Sequence, residues 1–192
     1  MHFGIDYGSK LAGTTVITYE ENGVLYQRSS DKKQDADQMI LSSVRELKPG
    51  RVFIDAPLSL PAAYFDKGEN YFYRKADIDL KAMSPMFLGG LTARAMHLKK
   101  QMEEEGIDVF ETYPGALVRA TPELKSRYNK KDKTTIPEVL TCLLKMQSSL
   151  KLDIMPSNYH EIDSLLAWYS GYRHAKGTSR RVGDIKEGLI IF

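Results

Sequence analysis

The sequence has little of several things, and each scarcity removes a class. It has one cysteine, Cys142, so no disulfide can form within the chain, and the scarcity fits a reducing compartment. That cysteine lies in the apolar run 140–144 and is expected to pack in the core. No apolar run approaches the roughly 18 residues of a membrane span, and the opening MHFGIDYGSK lacks the basic-then-apolar pattern of a secretory leader. Neither charge dominates: 27 Lys and Arg stand against 25 Asp and Glu. Bulk charge therefore announces neither a nucleic-acid nor a membrane partner. There is no internal repeat and no low-complexity tract. What is present is ordinary for a globular protein: 192 residues, 42% hydrophobic and 27% charged. The expectation is a cytoplasmic protein of one domain over residues 1–192, with no membrane contact and an open oligomeric state, a homodimer included.

Three strands are predicted first, over Phe3–Asp6, Leu11–Tyr19 and Val24–Ser29, linked by short turns as an antiparallel meander. Met39, Ile40, Val44 and Leu47 recur at helical spacing within a helix over Ala36–Leu47, stopped by Lys48-Pro49-Gly50. Val52–Ala56 is a short buried strand, entered by a parallel crossover. Residues 57–90 are irregular and aromatic-rich, holding Tyr64, Phe65, Tyr71, Phe72 and Tyr73. Such an insertion reads either as a functional lid or binding loop or as an ordered surface excursion. A helix over Leu91–Glu105 and a strand over Val109–Tyr113 follow. A capping box at Thr135-x-x-Glu138 and a helix start at Asn158-x-x-Glu161 begin two later helices, and Gly188–Phe192 is an apolar strip. This order predicts an α/β fold with a mixed five-stranded sheet, a three-strand antiparallel meander plus parallel strands, and helices on both faces. It is the element order of the ribonuclease H-like fold.

Three acids close apolar strands: Asp6, Asp55 and Glu111. A carboxylate there costs desolvation energy unless something pairs with it, and a hard divalent cation is one such partner. Each could also be a turn former or a helix cap, although Asp55 before Ala56-Pro57 fits that reading poorly. A fourth candidate is Asp163. It shares a helix face with His160 three residues earlier and lies on the flank of the stripe formed by Ile162, Leu165, Leu166 and Tyr169. That flank can reach the rim of a sheet, although Asp163 could instead serve only to favour the helix N-terminus. Ala167 and Ser170 on the same side are small enough for close packing.

These residues carry a resemblance. Gly4-Ile5-Asp6-Tyr7-Gly8-Ser9 with Gly13-Thr14-Thr15 looks like the opening hairpin of ribonuclease H-like nucleases, RuvC-type resolvases among them. Four segments resemble domain-of-unknown-function family 429, predicted nucleases of that fold. They are Phe53-Ile54-Asp55-Ala56-Pro57-Leu58, Arg74-Lys75-Ala76-Asp77, Glu111-Thr112-Tyr113-Pro114 and His160-Glu161-Ile162-Asp163-Ser164-Leu165. The ending Glu187-Gly188-Leu189-Ile190-Ile191 also fits, so the resemblance spans nearly the whole chain. It implies a metal-dependent nuclease in which Asp6, Asp55 and Asp163 hold two Mg²⁺ or Mn²⁺ ions, with His160 as a further ligand and Glu111 as an additional catalytic acid. Two such ions clamp the attacking and leaving oxygens of a phosphodiester. The chain departs from many members of the fold in having Asp rather than Glu at the fourth strand.

A nucleic-acid partner asks for basic surface. Residues 119–151 hold eight Lys and Arg against three acids, and residues 173–186 hold five against one. Arg74, Lys130, Lys131, Lys133, Arg180 and Arg181 are the candidate backbone contacts, with Tyr128 and Tyr172 interleaved; solvated loops are the plainer reading of the same charges. A non-catalytic nucleic-acid- or nucleotide-binding module on the same fold is the alternative function. An actin-like or sugar-kinase ATPase shares the opening hairpin, but those proteins duplicate the fold and need more chain than 192 residues.

Overall fold

The computed structural model describes residues 1–148 and 151–192. In chain order the elements are β1 (His2–Asp6), β2 (Val16–Glu21), β3 (Val24–Ser29), α1 (Ala36–Leu47) and β4 (Arg51–Asp55). Short helices α2 (Lys75–Leu80) and α3 (Pro85–Leu88) precede α4 (Gly90–Glu104) and β5 (Asp108–Glu111). Then come α5 (Pro114–Ala120), α6 (Pro122–Lys125), α7 (Ile136–Met146), β6 (Lys151–Leu152), α8 (Tyr159–Ala175), β7 (Arg181–Asp184) and β8 (Gly188–Ile191). No helix among the described residues is long and apolar enough to cross a membrane.

Among the described residues the fold is α/β with one mixed sheet, as expected, but the sheet has eight strands rather than five, in the order β6-β3-β2-β1-β4-β5-β8-β7. The meander β1–β3 is antiparallel, and β4 and β5 run parallel to β1. The extra strands lie at the two edges. β6 has two residues and β7 is the polar RVGD, so neither shows the alternation that marks a half-buried strand. Residues 11–15 of the expected second strand lie instead in the turn and link that lead into β2.

Period-two alternation sorts the central strands onto two cores. Phe3 and Ile5 of β1, Ile17 and Tyr19 of β2, and Val52 and Ile54 of β4 face α1 and α4, where Ile40, Val44, Leu98 and Met102 close the layer. Gly4, Thr18 and Phe53 face the other way, toward α8: Thr18 Oγ1 shares a 2.7 Å hydrogen bond with Ser164 Oγ, and Phe53 lies against Gly171. The second core gathers Leu165 and Trp168 of α8 with Leu117, Leu124, Val139 and Leu140 from α5–α7. The narrow apolar stripe read from the sequence understates α8, which is buried on most of its circumference, Asp163, Ser164, Ala167 and Ser170 included. Cys142 is only half-buried, at the margin of this core.

Gly4 sets how closely α8 lies on the sheet. A Cβ there would stand 2.0 Å from Trp168 N and 2.6 Å from Ser164 O, both backbone atoms, so α8 could not stay in place. We expect Gly4→Ala to cost about 2–3 kcal/mol in urea unfolding, the upper part of the overpacking range. It should also impair any property that needs Asp6 and Asp163 together. A cost below about 0.5 kcal/mol, the size of an indifferent surface change, would contradict this packing.

Two helix starts divide. Asn158 caps α8 as predicted, its Oδ1 accepting from His160 N at 2.9 Å and Glu161 N at 3.1 Å. The capping box at Thr135 does not form. Thr135 Oγ1 donates instead to Asp132 O and also meets Tyr159 OH, because a 3₁₀ turn over Lys133–Thr135 runs directly into α7. Residues 57–90 are an ordered excursion built on a 3₁₀ turn (Ala62–Phe65), α2 and α3. The Glu187 carboxylate ties it down by accepting from Ala62 N and Lys75 N, while its outer rings Tyr64, Phe65, Tyr71 and Phe72 stay exposed.

Candidate metal centre

Parity and register bring the first two carboxylates together. Asp6 follows Gly4 by two and Asp55 follows Phe53 by two, so both project from the α8 face. The parallel register pairs Asp6 directly with Asp55. α8 runs back across these strands and places Asp163 beside them. Carboxylate oxygens of Asp6, Asp55 and Asp163 all lie within 4.8 Å of one another. Asp6 and Asp55 line a cleft of about 340 Å³ together with Tyr7, Arg74, Glu111, Thr112, Tyr113 and Lys130.

The three acids differ in their partners. His160 Nδ1 lies 2.8 Å from Asp6 Oδ2, and this bond raises the imidazole pKa by favouring the protonated ring. Both oxygens of Asp163 are taken: Tyr128 OH donates to Oδ1 and Lys130 Nζ is ion-paired with Oδ2. Asp163 is nevertheless pushed up to about 6, because burial outweighs the Lys130 charge. No donor from the described residues hydrogen-bonds the half-buried Asp55 carboxylate. Burial, then the charges of Asp6 and Asp163, hold it well above the ordinary carboxylate range. Thr112 Oγ1 lines the same cleft, buried and without a hydrogen-bond partner among the described residues.

Three hard oxygen ligands in one cluster, one of them lacking a hydrogen-bond donor among the described residues, fit a divalent cation by chemistry and by charge. Asp6, Asp55 and Asp163 are the residues that would hold it. His160, expected as a ligand, lies beside this group and serves Asp6 through Nδ1.

Two further candidates, Glu111 and Arg74, bind each other. Glu111 pairs in register with Ile54, not Asp55, and although it lines the same cleft as Asp6 and Asp55 its carboxylate is turned away from the triad. It binds Arg74, whose Nη1 and Nη2 donate to its two oxygens at 2.7 Å, and it accepts from Leu58 N at 2.9 Å. Arg74 is fully buried and cannot touch nucleic acid. Its guanidinium also binds both oxygens of Asp77, at 3.0 Å from Nε and 2.7 Å from Nη2. Burial works against the Arg74 charge, but the bonds to Glu111 and Asp77 outweigh it and raise its pKa.

Of the other basic candidates, Lys130 reaches the triad and Lys131 and Lys133 are exposed close by in sequence. Arg180 pairs through its backbone with Phe192, and Arg181 lines a second cavity with Leu58, Ser59 and Glu111. Sequence reasoning missed Tyr128 as a partner of Asp163, having placed it only as an aromatic among lysines. It also missed a brace behind Asp6, in which Tyr7 OH donates to Asp37 at 2.6 Å and Arg94 binds Asp37 while covering the Tyr7 ring. Comparison of the chain with family models, curated proteins and solved structures finds no match.

Proposed function

We propose that this protein is a nuclease of the ribonuclease H-like fold that hydrolyses phosphodiester bonds with Mg²⁺ or Mn²⁺. The observation that carries the reading is the Asp6–Asp55–Asp163 cluster, whose Asp55 has no donor from the described protein residues. The strand order β3-β2-β1-β4-β5 inside the larger sheet, with α8 crossing β1 and β4, supports the fold assignment. The resemblance of the IDAPL and ETYP segments to predicted nucleases points the same way.

The chain's own residues have definable tasks. Asp6, Asp55 and Asp163 supply oxygen ligands from three separate elements, so the cluster is as rigid as the sheet beneath it. Bound divalent cations would supply Lewis-acid stabilisation of charge on the phosphate and its leaving oxygen. His160 holds Asp6 through the Nδ1 bond, and when protonated it also favours an approaching phosphate. Lys131 and Lys133 add positive charge there. The Arg74–Glu111–Asp77 network keeps the cleft wall, and with it α2, against β5.

Labelled single-stranded and duplex DNA and RNA, each incubated with Mg²⁺ or Mn²⁺, test the reading. We expect cleavage of at least one form, lowered by at least about a hundredfold in Asp6→Asn, with the variant's far-ultraviolet circular dichroism unchanged. No cleavage of any form by the wild type would contradict it. Binding without cleavage would favour the second reading, a non-catalytic nucleic-acid-binding module, which the Lys130 ammonium already seated on Asp163 supports.

A further inference from the structure

Lys130 stands out because it joins two unlike environments. Its side chain is 58% exposed, whereas that of Asp163, its partner, is 1% exposed. The ammonium thus reaches inward from solvent to a buried carboxylate. Lys130 also lines the cleft. It sits in a tight turn pinned on both sides: Asp132 N donates to Asn129 O at 2.9 Å, Asn129 N donates to Tyr159 OH at 2.9 Å, and Asp132 Oδ1 accepts from Thr134 N. With the backbone held, the long, flexible stem leaves side-chain rotation as the natural freedom of Lys130.

Asp163, whose Oδ2 Lys130 holds and whose Oδ1 accepts from Tyr128, belongs to the cluster that would ligate a divalent cation. An ammonium and a divalent cation on one carboxylate repel strongly at that separation. Resting on the reading of the site as a cation-dependent phosphodiesterase, we propose that Lys130 is a substrate-phosphate ligand that the fold holds on Asp163 and that a cation bound there displaces into the cleft. The exchange ties two events together. Cation binding frees a positive group at the place where a phosphate must sit, and the freed ammonium gains the phosphate as a new partner. Lys131 next to it on the turn, with its exposed side chain, adds to the same field.

The test uses Mn²⁺ and the full chain. Calorimetric titration should show Lys130→Met, which keeps the stem and removes the charge, binding Mn²⁺ about tenfold more tightly than wild type. In wild type, acetylation of Lys130 followed by mass spectrometry should speed up several-fold when Mn²⁺ is added, with Lys99 and Lys100 on α4 as internal controls. With Mn²⁺ present, Lys130→Met should bind a phosphorothioate single strand more weakly, and the slope of its affinity against salt should fall by about one. Unchanged or weaker Mn²⁺ binding by a variant with wild-type circular dichroism would overturn the exchange, and unchanged Lys130 acetylation in wild type would overturn it whether or not the variant folds. An unchanged strand affinity and salt slope would overturn the phosphate role. If wild type binds Mn²⁺ and these effects are missing, the inference fails alone. If wild type binds no Mn²⁺, the functional reading beneath it fails.

Discussion

In chelator at pH 7, Asp55→Asn is expected to melt above wild type. The reason is that Asp55 is a carboxylate without a donor among the described residues, raised well above its ordinary range by burial and then by Asp6 and Asp163. A carboxyl whose folded pKa lies above its unfolded value stabilises the fold fully only below the unfolded value of about 3.9. That stability is lost as pH rises through the folded pKa, because the folded state then has to carry a desolvated charge beside two others. Asparagine keeps the shape and is neutral at every pH. The gain should be about 1–2 kcal/mol, the usual size for relief of a functional compromise, or about 2–4 °C in Tm per kcal/mol for a chain of this length. Below pH 4 the two proteins should converge. Saturating Mn²⁺ should reverse the order, since a ligand that binds only the native state stabilises wild type alone. A variant that melts below wild type in chelator at pH 7 would show that Asp55 is satisfied in a way this structure does not contain.

The second large effect lies at Arg74. Its five guanidinium contacts join Ser59, Asp77 and Glu111, and both carboxylates are buried. Arg74→Met leaves two carboxylates desolvated without a counter-charge. Breaking one side of such a buried pair costs about 3–5 kcal/mol, which corresponds to a Tm loss of roughly 10–15 °C. Arg74→Lys should recover little, because an ammonium cannot match two carboxylates with one planar fork. Adding Glu111→Gln to Arg74→Met should restore part of the loss, the non-additivity expected of groups in contact. Urea unfolding of the three variants measures this. A loss below about 1 kcal/mol for Arg74→Met would place the side chain in solvent, as a nucleic-acid contact requires, and contradict its burial.

The sequence made the central elements legible where patterns were long or strongly punctuated. α1 begins at Ala36 and ends at Leu47 as its spacing and the Lys48-Pro49-Gly50 stop require, and Asn158 caps α8. The three aspartates were legible because each places a charge against apolar sequence. Glu111 carried the same local signal and lines the same cleft, but its carboxylate binds Arg74 instead of joining the triad. Its strand begins at Asp108 opposite Arg51, which puts Glu111 level with Ile54 and one residue out of phase with Asp55. A one-residue change of register moves a side chain to the opposite face, and strand spacing alone does not report register. Arg74 likewise read as surface because its class is seldom buried unless paired. Its partner Asp77 is three residues on, but Glu111 is remote in sequence. The edge strands β6 and β7 were not legible, being too short and too polar to show a period.

The central claim is that Asp6, Asp55 and Asp163 together hold a divalent cation. Calorimetric titration of Mn²⁺ into wild type and into Asp163→Asn tests it most directly. The account predicts saturable binding to wild type and at least about a tenfold loss in the variant, the scale on which losing supporting groups weakens a metal site. Absence of saturable binding to wild type, or equal binding by both proteins, would contradict it.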